Sequence, residues 1–322
     1  MDVRFGIVGL GSISNRFATV LQKMPGVKLT AVASREQARS DAFAQKYGAK
    51  KASDRYLDVI TDSEVDVVYI GLTHNFHYEI AKLCLENHKA VLCEKPLVTT
   101  QKDAATLVDL ARENKTLLME ALWTRCLPAF QKAKTWVSSG KIGEVKLITA
   151  NFCFKANYNA ERRLFNPQLA GGSLFDAGVY PIEFATGILN ETPVSVTGLA
   201  QIGATGVDEA AAISLKFAGG ALASLSCGFT VNAPRGVNIY GTKGHILVDE
   251  CVGPKKCELF DEKGRRIERF ADRATDGFVY QIRHCADLFR SGKLESDLIP
   301  LQDSLDCAAI FDDLRRQWGL IK

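Results

Sequence analysis

An apolar run, Val3-Arg4-Phe5-Gly6-Ile7-Val8, stops at Gly9-Leu10-Gly11-Ser12-Ile13-Ser14 and gives way to helical spacing at Phe17, Val20, Leu21 and Met24. A buried strand, a glycine turn and a helix, in that order, constrain the fold strongly. Parallel strands need a crossover to join them, and a helix is the usual one. The pattern then repeats. Strands are predicted over 4–8, 28–33, 65–71, 89–93 and 117–119, with helices marked by Ile80, Ala81, Cys84 and Leu85 and by Leu107, Leu110 and Ala111. The alternation predicts βαβ units with right-handed crossovers.

Past residue 120 the texture changes. A helix is predicted over 126–138, then strands over 145–154, 194–200, 210–217, 221–231, 237–240 and 245–249. Their connections carry turn residues: Ala218-Gly219-Gly220, Gly241-Thr242-Lys243-Gly244 and Asp261-Glu262-Lys263-Gly264. Such a meander predicts an antiparallel sheet with one covered face. A helix over 173–189 interrupts the strands, and two more, near 277–290 and 301–318, close the chain.

With 322 residues, 47% hydrophobic and 24% charged, the chain has the composition of a globular protein with a large core. A net charge of +3 argues against nucleic-acid or anionic-membrane partners, and no apolar run reaches membrane-spanning length. The nine cysteines are scattered without a CxxC pair. Their odd number, and an N-terminus without a leader pattern, predict a reduced, cytoplasmic setting. His74 and His77 are close, but no Cys or carboxylate cluster joins them, so no metal site is expected.

The glycine turn suits a pyrophosphate. Gly9 permits the tight turn, Gly11 lets the backbone approach, and the helix from Ser12 offers its N–H groups and positive dipole end. Ser14 stands at the third glycine position. An ordinary strand–helix turn is the plainer alternative, disfavoured by the motif's place inside a βαβ pattern. At the end of the second strand an NAD site places a carboxylate on the ribose. Here Ser34-Arg35 follows Ala33, and Arg39 comes one helical turn on. A hydroxyl and two guanidinium groups suit a 2′-phosphate, which predicts NADP. NAD stays open, because Glu36 is placed to accept a ribose hydroxyl, and both arginines also read as solvated helix residues.

Glu94-Lys95-Pro96 follows the apolar run Ala90-Val91-Leu92-Cys93, at the strand end where an open parallel sheet binds ligands. A lysine there, buried beside a cationic nicotinamide, would lose its proton more readily and exchange one with a substrate hydroxyl. A surface lysine at a loop start is the alternative. In Ala170-Gly171-Gly172-Ser173-Leu174-Phe175-Asp176-Ala177-Gly178-Val179-Tyr180, Asp176 and Tyr180 are four apart and share a helix face. Tyr180 is a candidate proton donor and Asp176 its substrate or lysine partner. A dipole-favoured Asp and a core Tyr explain the same residues. In Glu120-Ala121-Leu122-Trp123-Thr124-Arg125, Trp123 and Arg125 either line the nicotinamide or fix the domain junction.

Together these residues resemble the Gfo/Idh/MocA family of nicotinamide oxidoreductases over essentially the whole chain. The GxGxxG-like turn, Glu94-Lys95-Pro96 and Gly171-Gly172…Asp176…Tyr180 carry the resemblance. It implies an α/β fold. Residues 1–122 form an NAD(P)-binding Rossmann domain with a doubly wound parallel sheet. Residues 123–322 form an α+β domain with a large open, mainly antiparallel sheet that binds substrate and packs against a partner subunit in a homo-oligomer. Lys95 is implied to be catalytic, and Asp176 maps onto the family carboxylate. Many members have His where this chain has Tyr180.

Leu92–Pro96, Met119–Arg125, the Gly241–Gly244 turn, Tyr180 and His74 resemble the branch holding dimeric dihydrodiol dehydrogenases and NADP-dependent D-xylose dehydrogenases. There Tyr180 is the implied general acid, supported by Lys95. Cofactor contacts are implied for Gly9, Gly11, Ser12, Ile13, Ser34, Arg35, Arg39, Leu72, His74, His77, Glu94, Lys95, Trp123 and Arg125. Leu72-Thr73 replaces the Thr-Pro of the common family turn. Substrate-facing residues are expected near Phe154, Tyr158 and Arg163, without a motif that names the substrate. The expected reaction is NADP-dependent hydride transfer to or from a sugar, cyclic diol or small polyol. The rivals are a non-catalytic NADP sensor, which would need neither Lys95 nor Tyr180, and redox-assisted glycoside cleavage.

Overall fold

In the computed structural model, which describes residues 2–322, the N-terminal pattern becomes alternating strands and helices. In chain order these are β1 (Val3–Val8), α1 (Ser12–Leu21), β2 (Val27–Ala33), α2 (Gln37–Tyr47), β3 (Lys51–Ser53), α3 (Tyr56–Ile60), β4 (Val67–Ile70), α4 (His77–Glu86), β5 (Ala90–Glu94), α5 (Gln101–Glu113) and β6 (Leu118–Ala121). The strands form one parallel sheet in the order β3-β2-β1-β4-β5-β6. Strand order reverses between β1 and β4, where a doubly wound sheet opens its ligand crevice. The unbroken apolar runs follow from burial on both faces: Phe5, Ile7, Val67, Val68, Ile70, Val91 and Leu92 expose no surface. β3, α2 and α3 have no counterpart in the sequence expectations. β3 is a short edge strand, and α2 exposes most of its length, so neither carries a strong apolar pattern.

The second sheet follows, with α6 (Pro128–Ser138), β7 (Val145–Cys153), α7 (Val179–Leu189), β8 (Pro193–Ile202), β9 (Asp208–Phe217), β10 (Leu222–Gly228), β11 (Val237–Gly241), β12 (Gly244–Val248), β13 (Lys256–Asp261) and β14 (Arg266–Ala271). Its order is β14-β13-β12-β11-β7-β10-β9-β8. It is mainly antiparallel, with one exception: β7 pairs parallel with β10 and antiparallel with β11. β7 therefore separates two meanders, and β10 and β11 are consecutive in the chain but not neighbours. One face is covered. On β9, Ala211, Ile213, Leu215 and Phe217 are buried, while Ala212, Ser214 and Lys216 between them are exposed.

Two predicted helices differ in the structure. The stretch 126–138 becomes a single turn, Trp123–Cys126, and then α6, which starts at Pro128 because proline needs no partner for an N–H in a first helical turn. The stretch 173–189 opens as a π-helical turn, Leu174–Gly178, before α7. Gly178, the last residue of this turn, lies against Cys227, where a Cβ would stand 3.0 Å from the sulfur.

α8 (Phe278–Arg290) and α9 (Leu301–Gln317) close the chain. The chain divides into two compact units. The first takes residues up to Val98, Lys102–Ala121 and Asp276–Ser304; the second takes Thr99–Gln101, Leu122–Thr275 and Leu305–Lys322. In the first unit Arg16 of α1 donates to both carboxylate oxygens of Asp276 at 2.9 Å and lies 4.1 Å over the Phe278 ring. All nine cysteines are buried. Among the described residues no helix is long and apolar enough to cross a membrane.

Candidate cofactor and catalytic sites

The glycine turn is laced to its neighbours by the backbone. Gly9 N–H donates to Ala33 (3.0 Å) and Gly71 N–H to Val8 (2.9 Å). Gly9 sits at φ +85°, and a Cβ there would lie 2.5 Å from Leu72 Cδ2 and 2.8 Å from the Gly71 carbonyl, so both conformation and space demand glycine. Gly11 opens α1 with no side-chain cap, and a Cβ on it would meet only the Gly71 carbonyl, at 4.0 Å. Uncapped N–H groups facing open space fit a pyrophosphate. Ser14, fully buried, donates to the Gly9 carbonyl at 2.6 Å, and a Cβ on Gly71 would strike its hydroxyl. Serine thus closes the turn with a hydrogen bond where a third glycine would close it by having no side chain. Ser12 is exposed and Ile13 half-buried. Asn15 donates to the Gly11 carbonyl (2.9 Å) and accepts from the Tyr47 hydroxyl (2.8 Å), joining α1 to α2.

At the end of β2 the Ser34 hydroxyl is buried. It donates to the Glu36 carbonyl and stands 2.9 Å from Ser40 Oγ, within the turn that leads into α2. Arg35 and Arg39 are exposed. The Arg35 guanidinium lies 6.0 Å from the Phe76 ring centroid, and Arg39 donates to the Leu10 carbonyl at 2.7 Å. Burial raises the Tyr56 pKa, and the charges of Arg35 and Arg39 both oppose it, which groups the two cations around one tyrosine.

β5 is buried to its end, including Glu94, whose carboxylate accepts from the Tyr69 hydroxyl at 2.5 Å. Burial raises the Glu94 pKa against that hydrogen bond and the charges of Lys95 and Arg16. Lys95 is half-buried, and the Lys95–Pro96 peptide is cis. The turn beyond is held from two sides. His77 Nδ1 lies 2.9 Å from the Pro96 carbonyl and Nε2 lies 3.2 Å from the Leu72 carbonyl. Glu120 accepts the Leu97 N–H at 3.1 Å and the Ser304 hydroxyl at 2.5 Å. Burial lowers the His77 pKa; the two carbonyls oppose this and the Lys95 charge adds to it. His77 and Glu120 thereby frame the lysine turn. His74 is half-buried, edge-on to His77 at 5.7 Å.

In the second unit Trp123 is half-buried against Gly253, where a Cβ would lie 2.7 Å from the indole. Arg125 is 1% exposed. It ion-pairs with the Glu183 carboxylate (2.7 Å) and donates to the Glu183 carbonyl (2.9 Å) and the Thr186 hydroxyl (2.9 Å). These contacts, all inside the second unit, hold Arg125 against α7. A lone glutamate within the apolar stretch Val179-Tyr180-Pro181-Ile182-Glu183-Phe184 was the available signal for this pair.

Asp176 is 8% exposed and accepts from Arg163 at 2.6 Å. Tyr180 is 7% exposed and packs edge-on to Phe152 at 5.5 Å. Phe152 in turn lies 5.5 Å from Phe154 and 5.0 Å beneath the Arg235 guanidinium. The second unit thus pairs Asp176 with Arg163 and sets Tyr180 against Phe152, as the first gathers Lys95, Glu94 and His77. Tyr158 is exposed, with its ring 4.9 Å from Phe165. Sequence reasoning passes over Asp208, which reads as a turn residue after Gly203-Ala204-Thr205-Gly206-Val207. It is 4% exposed and accepts from the Ser173 hydroxyl (2.7 Å) and the Leu174 N–H (2.6 Å).

Comparison with known proteins agrees with this architecture. A family described as "Oxidoreductase family, NAD-binding Rossmann fold" matches residues 3–122, and the "GFO/IDH/MocA C-terminal domain" matches residues 130–247. The chain is 33% identical over 332 residues to trans-1,2-dihydrobenzene-1,2-diol dehydrogenase of Xenopus laevis, covering 100% of this chain and 99% of the relative. It is 32% identical over 334 residues to the Homo sapiens enzyme of the same name, covering 99% and 98%. Among solved structures, the 3-ketoreductase KijD10 from Actinomadura kijaniata, in complex with NADP and TDP-benzene, superposes with a TM-score of 0.88 at 26% identity, covering 99% and 98%.

Proposed function

Because the chain belongs to the GFO/IDH/MocA family of oxidoreductases, we propose that it is an NADP-dependent dehydrogenase or reductase of a sugar, cyclic diol or related small polyol. The carrying observation is that one chain combines the uncapped glycine turn of α1 with Lys95 at the end of β5 and the Asp176–Tyr180 segment. NADP, when bound, supplies or accepts a hydride at nicotinamide C4. The relatives named for dihydrodiols and the NADP-bound ketoreductase support both the cofactor and the substrate class.

In the reducing direction the substrate carbonyl oxygen needs one proton. Tyr180 donates it from its phenol and is reprotonated from solvent; in oxidation it takes the proton back. Lys95, at the end of β5, is the second residue assigned to the proton-transfer chemistry. Asp176, ion-paired with Arg163, accepts a hydrogen bond from a substrate hydroxyl. Gly9, Gly11, Ser12 and Ile13 carry the pyrophosphate. Arg35 and Arg39 take the 2′-phosphate, with Ser34 shaping the turn beneath them. Leu72 and His74 line the nicotinamide side, and Trp123 is a further cofactor contact. His77, Glu94 and Arg125 act through the frame that holds those groups.

In this reading residues 1–122 hold the cofactor, and residues 123–322, of which 276–304 fold with the first unit, supply substrate and subunit contacts. The exposed Leu147, Leu199, Leu222 and Tyr240 on the open sheet support a homo-oligomer formed through that face. The setting is cytoplasmic, without nucleic-acid or membrane partners. The test is a substrate screen that follows NADPH absorbance with aldoses, inositols, dihydrodiols and α-dicarbonyls. Turnover with a vicinal diol or its carbonyl supports the reading. Tight NADPH binding with no turnover across the panel refutes it.

A further inference from the structure

We propose that Asp208 is the positioning residue for the segment that carries Asp176 and Tyr180, holding its first turn as a helix cap supplied from strand β9. The segment starts in the interior, where unsatisfied N–H groups are costly, and its own first residue, Ser173, makes no side-chain cap. Asp208 fills that role from 34 residues away: its Oδ2 accepts the Leu174 N–H at 2.6 Å and the Ser173 hydroxyl at 2.7 Å.

The surroundings are shaped for this carboxylate. Gly172 sits at φ +121°, and a Cβ there would overlap Asp208 Oδ1. Glycine at 172 and aspartate at 208 are therefore a matched pair. The same turn rests on Cys227 at both ends: Ser173 Oγ lies 3.6 Å from the sulfur at the start, and a Cβ on Gly178 at the far end would lie 3.0 Å from it. Asp176 lies between these two fixed points, and Tyr180 follows immediately.

A neutral Asn or Ser would satisfy the same N–H without burying a charge. Burial pushes the Asp208 pKa up to about 6, against the Ser173 and Leu174 hydrogen bonds and the more distant Arg315. The chain nonetheless uses a carboxylate, whose charge-assisted bonds are the stronger and shorter kind. Such a grip makes sense where a downstream group must not drift: a misplacement of about 1 Å costs on the order of 10²-fold in rate.

The activity arm of the test rests on Tyr180 as proton donor; the exchange arm does not. Full-length Asp208→Ala, Asp208→Asn and Ser173→Ala are compared with wild type. NADPH affinity is read by fluorescence titration, kcat and KM with trans-1,2-dihydrobenzene-1,2-diol and D-xylose, and amide exchange by mass spectrometry. Asp208→Ala is expected to lower kcat by about 10²-fold with NADPH affinity within about 2-fold. Exchange is expected to quicken by about 10-fold at 173–180 and nowhere else in the second unit. Asp208→Asn, which keeps one acceptor oxygen, recovers most of the rate, and Ser173→Ala falls between. Unchanged exchange at 173–180, or acceleration across the whole second unit, overturns the proposal. If Asp208→Ala does not fold, Asp208→Asn and Ser173→Ala carry the comparison. If the wild type turns over neither probe, the proposed activity fails and local exchange alone decides the role of Asp208.

Discussion

The Arg39 guanidinium donates to the Leu10 carbonyl across 2.7 Å, so a cation near the start of α2 is tied to the turn that opens α1. Arg35 makes no comparable tie; it lies over Phe76. The two arginines therefore differ in what their loss does. Arg35→Ala is expected to weaken NADPH binding by about 10–100-fold and leave NADH binding nearly unchanged, the loss of a charge-assisted contact to one phosphate. Arg39→Ala is expected to weaken both, because the turn itself loses a partner. Titrating each variant with both nucleotides checks this. A wild type that prefers NADH sinks it.

Ser14 and Gly9 form the tightest part of the same turn. Ser14→Ala removes the hydrogen bond without changing the backbone and is expected to cost about 1 kcal/mol in urea unfolding. Gly9→Ala forces a Cβ onto Leu72 and the Gly71 carbonyl at a positive φ and is expected to cost more, with loss of NADPH binding. Equal stability of the two variants contradicts the packing described for Gly9.

Lys95→Met and Tyr180→Phe are each expected to lower kcat by about 10²–10⁴-fold with little change in NADPH affinity, the signature of lost proton transfer. Near-normal turnover in both variants removes these residues from the chemistry.

Arg125→Met leaves the Glu183 carboxylate buried without its cation and is expected to cost about 3–5 kcal/mol. Arg125→Met with Glu183→Leu is expected to recover most of that loss, since neither charge then remains inside. A melting curve for each variant gives the comparison, and a single variant as stable as wild type excludes the ion pair as a structural element.

Asp208 predicts a pH dependence of stability. Its folded-state pKa, about 6, lies above the ordinary 3.8, so the folded chain holds this proton more tightly than the unfolded one. Stability from this group is full below about pH 4 and is lost as pH rises through about 6, on the order of 2–3 kcal/mol in all. Asp208→Asn cannot titrate and is expected to lack that decline. Urea unfolding of both proteins from pH 4 to 7 measures the difference, and parallel curves reject it.

Much of this was legible in the sequence, for identifiable reasons. β1, β4 and β5 read as buried strands because burial on both faces leaves no alternation to interrupt. Lys95, Asp176 and Tyr180 stood out as polar groups at the margins of apolar runs. His77, Glu120 and Asp208 did not reveal their roles, because their partners include the backbone of Pro96, Leu97 and Leu174, and no side-chain pattern marks a backbone acceptor or donor. The place of β7 between two meanders was hidden for a similar reason: its parallel partner β10 lies beyond a helix and two other strands. Nothing local to 277–290 says which unit α8 completes.

That last point bears on how the protein is made. All six strands of the parallel sheet are translated by Ala121, yet Asp276 and Phe278, which clasp Arg16 of α1, are translated only after the entire second sheet. Domains usually mature in the order of their synthesis. Here the unit begun first is still incomplete when the whole second sheet has been made, and a nascent chain must carry an open flank of its nucleotide half until Asp276–Ser304 is translated.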